Sequence, residues 1–245
     1  AENVETLQPH FDKIFNGESR PIDMEEALGM VKQRPTHQEL DRPISMGELN
    51  EYISRASNKK APGESQIPAE ALKALSNDTK EMLLRLLQDF FDGQTDPEEW
   101  HMSILKVLHK KGDPHNPTDW RGICLKDMTV RIMSAILNAR LLNLIKEYGV
   151  ETQYGSQPHR GTLNGLAVLR TALETRRYHG QGTWTLFVDL VKAFDTADHK
   201  LLFALLRKYG APDKLVRAVE TLYTDVSVKI QVGKEKRQIP YTIGV

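Results

Sequence analysis

The chain has 245 residues, of which 40% are hydrophobic, and its formal net charge at pH 7 is zero. This length allows one large domain or two small ones, and the single cysteine, Cys124, excludes an internal disulfide framework, while the eight histidines show no zinc-ligand spacing. There is no run of about 18 apolar residues and no signal-peptide pattern, so we expect an intracellular protein, in the nucleus or the cytoplasm, that does not contact a membrane.

Residues 1–44 are predicted to form an N-terminal extension. Short groups of apolar residues alternate here with Pro9, Pro21 and Pro35. Proline breaks regular structure, so we expect short helices and loop that pack on another part of the chain.

Helices are predicted to follow the extension. Ser45 and Glu48 have the spacing of a capping box. The stretch "NKKAPGESQIPAEALKAL" then reads as a loop followed by a helix, and "DTKEMLLRLLQDFFDG" carries apolar residues at helical spacing. The predicted helices are Met46–Ala56, Ala69–Leu75 and the periodic stretch that stops at Gly93.

A hairpin of two strands is predicted after Trp100. The apolar and β-branched runs Ser103–His109 and Arg121–Leu125 are joined by a basic loop rich in turn residues.

The remaining elements give an α+β chain that is rich in helix and has a small, mostly antiparallel sheet. In chain order they are a helix from Ile132 to Ile145 that ends at Gly149, a helix Leu163–Tyr178, a strand Thr183–Leu190, helices at 199–209 and 213–224, and strands Ser227–Val232 and Gln238–Ile243 with a turn at Gly233–Lys236.

Asp189 is the most informative residue of the sequence. It ends the apolar run "WTLFV" of a predicted strand, where a buried carboxylate requires a compensating cation or hydrogen-bond donors. Mg²⁺ is a natural compensation, because this ion prefers carboxylates together with substrate phosphates. The alternative is that Asp189 caps the turn after the strand. Likewise Phe194 could fill a core crevice, and Asp195 and Asp198 could cap the helix that begins near His199.

Four stretches in order resemble the reverse transcriptases of non-LTR (LINE-type) retrotransposons, from about Phe11 to Val245. "FVDLVKAFDTADHKLL" resembles the first catalytic motif, and "WHMSILKVLHKKGDPHNPTDWRGICL" resembles the fingers hairpin. "NKKAPGESQIPAEALKAL" is similar to the block ahead of the fingers, with Glu64 to Gln66 in place of proline-aspartate-glycine. "SQPHRGTLNGLAVLR" is similar to the glutamine-glycine-phenylalanine-arginine segment, with Pro158 and His159 at its centre.

The resemblance implies a role for individual residues. It implies that Asp189 is the catalytic, metal-binding aspartate and that the Leu190 carbonyl is a further Mg²⁺ ligand. It also implies that Phe194 contacts the sugar of the incoming dNTP, and that Lys110 and Arg121 hold its triphosphate. Nucleotide or template contacts are implied for a further set of residues: Gln157 beside the nucleotide, with Lys111 and Arg160 on the nucleic acid.

For the basic residues, the residues alone leave alternatives open. The lysines of "HKKGD" would point into solvent in most hairpin turns, and Arg121 could stack on Trp120 and merely stabilise the hairpin.

The implied fold is that of a right-hand polymerase. It would comprise the extension at 1–44, a fingers-like region at 45–180 and a partial palm at 181–245. The implied partners are an RNA template, a DNA primer and dNTP. The charge distribution is uneven, because residues 1–100 hold 11 basic and 20 acidic side chains, whereas residues 101–245 hold 22 basic and 13 acidic ones. Such an asymmetry accompanies nucleic-acid contact on one side of a molecule, and ordinary unevenness of surface charge is the alternative.

The second acidic motif of the family is expected to carry two adjacent aspartates, and no Asp-Asp dipeptide occurs in the sequence. We therefore expect this chain alone to be inactive as a polymerase, and we expect a second copy or a missing palm and thumb segment to cover the exposed palm edge. The alternative is a noncatalytic, domesticated module that binds RNA or a protein. A phosphotransferase that pairs Asp189 with Asp195 is a weaker alternative.

Overall fold

The computed structural model describes residues 4–17, 22–190, 193–194, 197–232 and 235–242. Within them the chain forms a body of packed helices beside a four-stranded sheet. The α-helices are α1 (Val4–Phe15), α2 (Met24–Gly29), α3 (Met46–Arg55), α4 (Ala69–Lys73), α5 (Asn77–Phe91), α6 (Met128–Tyr148), α7 (Thr162–Tyr178), α8 (His199–Lys208) and α9 (Asp213–Thr221). The strands are β1 (Met102–His109), β2 (Trp120–Leu125), β3 (Ser227–Val232) and β4 (Glu235–Pro240).

The helix predictions are confirmed, with ends that differ by a few residues. Ser45 begins α3 with the predicted capping box, since its hydroxyl accepts from the Glu48 N–H at 3.1 Å and the Glu48 carboxylate accepts from the Ser45 N–H at 3.0 Å. Asp198 caps α8 as expected, because its carboxylate accepts from the Leu201 N–H at 2.8 Å. These caps satisfy backbone donors that have no partner inside the helix.

Helix α6 is the central helix of the larger core. Its Ile132, Met133 and Ile136 are almost fully buried, and it packs against α3 and α9. By length and composition alone α6 could cross a membrane, but it is the one such helix among the described residues, and in the fold its apolar stripe is the core of the helical body.

The sheet has the strand order β2-β1-β3-β4 and is mixed. Strands β1 and β2 form the predicted antiparallel hairpin, and β3 and β4 form a second one. The two hairpins join through a parallel pairing of β1 with β3, in which Leu105 lies opposite Ile230. The prediction of a mostly antiparallel sheet is therefore wrong, because it overlooked that strands far apart in sequence meet at the centre.

The predicted N-terminal extension packs on the sheet through α1. Val4, Leu7, Phe11 and Phe15 form its buried stripe and join a second, smaller core with the inward residues of the strands. The expectation that this stretch packs elsewhere is confirmed. The division into an extension, a fingers-like region and a partial palm remains a prediction.

The predicted strand Thr183–Leu190 is wrong. Residues 181–190 have no regular structure, and every one of them is exposed, including Trp184 and Phe187. None of the described strands pairs with this segment, and a strand without a pairing partner leaves its backbone groups unpaired. The preceding helix, α7, is also exposed along its length and buries none of its residues.

Candidate nucleotide and nucleic-acid site

The tip of the β1–β2 hairpin presents the basic residues predicted there. Lys110 and Lys111 are exposed, and the Lys110 N–H donates to the Asp119 carbonyl at 2.8 Å, which continues the ladder to the tip. Gly112 has a φ of +89°, and an added Cβ would lie 2.5 Å from the Asp119 carboxylate. Only glycine fits this turn without strain, so the "KKGD" sequence builds a tight, lysine-bearing tip.

Arg121 and Phe194 line one cavity. It has a volume of about 430 Å³ and opens between α1, the β1–β2 hairpin and the short described turn at 193–194. Aromatic side chains dominate its walls, with one arginine beside them. The described residues that line it are His10, Phe11, Ile14, Phe15, Leu105, Thr118, Trp120, Arg121, Gly122, Cys124, Ala193, Phe194 and Tyr241.

Trp120 is fixed in the wall of this cavity. Its indole N–H donates to the Pro114 carbonyl at 3.0 Å, and its ring lies 5.3 Å from the ring of His109. Trp120 therefore holds the loop between β1 and β2 against the hairpin strands. This stabilisation of the hairpin does not require Arg121. Arg121 is exposed at the edge strand β2.

Asp189 and Leu190 do not line this cavity. Both are exposed, and they belong to the irregular segment at 181–190. Asp195 lies outside the described residues. The described part of the chain contains no group of three or more His, Cys, Asp or Glu side chains that could hold a metal ion. The described residues therefore do not fit a two-metal centre.

Gln157 and Arg160 lie at a different place. Gln157 lines an apolar cavity of about 260 Å³ between the end of α6 and α8, together with Leu144 and Leu206. The Arg160 guanidinium is held by the chain itself, since it donates to the Glu151 carbonyl at 2.6 Å. Neither residue joins the cavity that Arg121 and Phe194 share.

The face of the sheet turned away from α1 is basic, which the sequence reasoning missed. Residues opposite one another on neighbouring strands share a face, and the register places Lys106, Lys229 and Lys236 together with Gln231. We call these three lysines the basic sheet face. Lys106 donates to Gln231 of the neighbouring strand at 3.0 Å, as that register requires. Strand alternation was a usable signal, but the parallel β1–β3 pairing could not be read from the sequence.

The loop that carries "KAPGES" packs against the end of β2. The Ser65 N–H and hydroxyl donate to the Asp127 carboxylate at 3.0 and 2.9 Å. A side chain at Gly63 would overlap Asp127, so this glycine permits the close approach. Beside it, burial lowers the pKa of Lys126.

The same loop also reaches the basic sheet face, because Glu64 forms an ion pair of 2.7 Å with Lys229. Glu64 is one of the residues at which this sequence departs from the pattern of the family it resembles, and here it neutralises one of the three lysines.

The described residues thus combine a mixed sheet, a lysine-tipped hairpin, a basic sheet face and an aromatic cavity that Arg121 lines. The sequence model of the family described as reverse transcriptase (RNA-dependent DNA polymerase) matches residues 108–243. The chain belongs to this family.

Individual relatives come from transposons. The chain is 24% identical over 208 residues to the transposon TX1 uncharacterized 149 kDa protein of Xenopus laevis, a match that covers 85% of this chain and 16% of that protein. It is 25% identical over 210 residues to the RNA-directed DNA polymerase from mobile element jockey of Drosophila melanogaster, covering 82% and 22%.

It is also 25% identical over 192 residues to the Pol polyprotein from type-1 retrotransposable element R2 of Popillia japonica, covering 78% and 26%. The chain thus spans between a sixth and about a quarter of the length of these relatives. The resemblance to non-LTR retrotransposon reverse transcriptases that the motifs indicated is confirmed.

Proposed function

We propose that this chain is the fingers and part of the palm of an RNA-directed DNA polymerase from a non-LTR retroelement. In the whole protein it would bind an RNA template, a DNA primer and a dNTP, with Mg²⁺ as the cofactor. The observation that carries the proposal is the shared cavity of Arg121 and Phe194, two residues that are 73 positions apart in sequence.

The cavity suits a nucleoside triphosphate in size and chemistry. Its volume of about 430 Å³ lies within the usual range for small-molecule sites, about 300–1,000 Å³. Arg121 supplies a planar cation with several donors for phosphate oxygens, and Phe194 supplies a flat apolar surface for the sugar. Lys110 at the hairpin tip adds a mobile ammonium from the same hairpin.

The basic sheet face suits the nucleic-acid backbone. Lys106 and Lys236 are exposed on it, and the exposed side chains of Leu108 and Ile123 lie beside Lys106 on the same face. Cations attract phosphates, and apolar surface next to them favours contact with sugars and bases over plain solvation. Lys111 and Arg160 would contribute further phosphate contacts.

Two binding assays test the proposal. Fluorescence anisotropy of a labelled RNA–DNA hybrid should show binding that weakens steeply as salt rises, since phosphate contacts release counterions. A fluorescent dATP analogue with Mg²⁺ should bind the wild-type chain. Its Kd for Arg121→Ala should be higher by about ten-fold or more.

Arg85→Ala is the matched control, because Arg85 is exposed on α5 and does not line the cavity. Equal nucleotide affinities of wild type and Arg121→Ala, or no nucleotide binding at all, would overturn the proposal.

Catalysis is proposed for the whole protein, with Asp189 and the Leu190 carbonyl as Mg²⁺ ligands beside further acids. For this chain alone we expect no primer extension with Mg²⁺. Robust incorporation that Asp189→Ala abolishes would contradict that expectation.

The exposed segment at 181–190 favours a second candidate, a noncatalytic module that binds RNA or a protein. Trp184, Leu186, Phe187 and Val188 present a large apolar surface that is left without a partner inside the described chain. Binding of the hybrid without any binding of dATP would favour the module. In either case we propose that a second copy, or a further palm and thumb segment, covers this surface. A monomer in light scattering, at concentrations well above those of the binding assays, would speak against the second copy.

A further inference from the structure

We propose that helix α1 forms the wall of the nucleotide cavity against which the nucleoside lies, so that His10 and Ile14 are positioning residues for the nucleotide. The inference rests on the proposed function and extends it to a helix outside the residues to which the sequence motifs gave a role. It follows from which face of α1 is buried, from how α1 is anchored, and from the chemistry of the cavity.

The buried stripe of α1 leaves His10 and Ile14 at its margin. Phe11 and Phe15 are buried against the sheet, whereas His10 and Ile14 are only half-buried, and both line the cavity. The His10 ring lies 5.3 Å from the Phe11 ring in an edge-to-face arrangement, so the imidazole continues the aromatic wall. Ile14 packs at the border of the smaller core.

Contacts at the end of α1 hold this wall in place. The Thr242 N–H donates to the Phe15 carbonyl at 3.1 Å, and the Asn16 amide donates to the Pro240 carbonyl at 2.8 Å. The Phe15 ring meets the Tyr241 ring at 4.9 Å. Helix α1 is therefore tied to β4 and the residues after it, so the cavity wall is pre-organised rather than assembled by the ligand.

Gly122 lets α1 approach the hairpin. An added Cβ at this position would lie 2.7 Å from Leu105 Cδ1 and 2.9 Å from Phe11 Cε1. The glycine that follows Arg121 in the hairpin motif thus makes room for the Phe11 ring. This places α1 directly against the strand that carries Arg121, and both line the cavity.

The chemistry of the cavity divides between its walls. Arg121 is its cation, on the hairpin side, and suits the triphosphate. Helix α1 offers aromatic and aliphatic groups, which suit the sugar and the base. A nucleotide with its phosphates at Arg121 would therefore rest its nucleoside on His10 and Ile14.

The single cysteine gives a direct readout of the cavity. Cys124 is exposed and lines the cavity, so its rate of alkylation by iodoacetamide reports access to this place and no other. In the wild-type chain, dATP with Mg²⁺ should slow the alkylation of Cys124. The concentration that gives half of the protection is the measured affinity.

Three variants test the wall. Ile14→Trp places an indole in the cavity and should raise the half-protecting dATP concentration at least about ten-fold, because the ligand loses its room. Lys13→Trp is the matched control, since Lys13 is exposed on the same helix and does not line the cavity, and it should match wild type. His10→Ala removes surface without adding bulk and should weaken protection about three-fold. Thermal melts confirm that each variant is folded.

The outcomes separate the inference from the proposed function. If dATP binds with dependence on Arg121 but Ile14→Trp and His10→Ala are protected as wild type is, the wall assignment is overturned and the proposed function stands. The same holds if dATP binds without protecting Cys124. If dATP does not bind at all, both fall together.

Discussion

Arg140 is a buried arginine in the middle of α6 whose removal should destabilise the whole helical body. Its side chain is 1% exposed, and all of its donor nitrogens have partners. The Nη1 atom donates to the Leu40 and Arg42 carbonyls at 2.9 and 2.7 Å, Nη2 to the Pro43 carbonyl at 3.3 Å and to Glu48 at 3.2 Å, and Nε to Glu48 at 3.3 Å. Arg140 thus joins the segment at 40–43 and α3 to the central helix.

The expected magnitude follows from what Arg140→Met leaves behind. Three carbonyls and one carboxylate lose a donor, and breaking one side of a buried ion pair costs about 3–5 kcal/mol. Glu48 keeps the Arg42 guanidinium at 3.2 Å and the Ser45 N–H, which compensates part of its charge. We therefore expect about 3 kcal/mol, which lowers the thermal midpoint by roughly 6–12 °C in a chain of this size.

Urea unfolding followed by circular dichroism measures this loss of free energy. Arg131→Met is the control, because Arg131 is exposed on the same helix, and it should change the free energy of unfolding by no more than about 0.5 kcal/mol. If Arg140→Met unfolds within about 1 kcal/mol of wild type, with an unchanged dependence on urea, the argument that this network ties the helices together is refuted.

Three further predictions concern acid, packing and exposure. Burial alone would raise the pKa of Glu48, but hydrogen bonds from the Ser45 N–H and Arg140 hold that pKa below its usual 4.5. The ionised Glu48 therefore stabilises the folded chain fully above about pH 4.5, and this contribution is lost as the pH falls through the lowered pKa. Urea unfolding at several pH values should show this loss of stability in wild type and not in Glu48→Gln. Gly122→Ala should lower stability by about 1–3 kcal/mol in the same unfolding assay and change the alkylation rate of Cys124, because the added Cβ displaces Phe11 or Leu105; an unchanged rate and stability would contradict the close approach. Chymotrypsin should first cut within 181–190, because its aromatic residues are exposed on a segment without regular structure; mass spectrometry locates the cut, and first cleavage in α6 or the sheet would be inconsistent with the fold.

Local chemistry decided most of the elements that were predicted correctly. The capping box at Ser45, the stop at Gly93 and the apolar stripe of α6 are short-range signals, and the helices appear where those signals lie. The β1–β2 hairpin was predictable for the same reason, since its turn residues and both strands are close in sequence. The hairpin residues Lys110, Lys111 and Arg121 could therefore be placed on one element from the sequence alone.

The predictions failed where partners are distant in sequence. The parallel pairing of β1 with β3 joins residues more than 100 positions apart, and no local sequence pattern predicts this pairing. The segment at 183–190 has the composition of a strand, but composition supplies no hydrogen-bond partner, and it stays irregular and exposed.

By itself the sequence determined the family, the helices, the hairpin and the residue types available for phosphate, sugar and metal, because all of these depend on residue identity and short spacing. Only the tertiary structure decided that α1 packs against the hairpin, that Phe194 and Arg121 line one cavity while Asp189 does not, and that three lysines meet on one face of the sheet. Those arrangements depend on which strands pair and which faces are buried. These are properties of the whole chain, since apolar burial and backbone pairing are satisfied between elements and not within them.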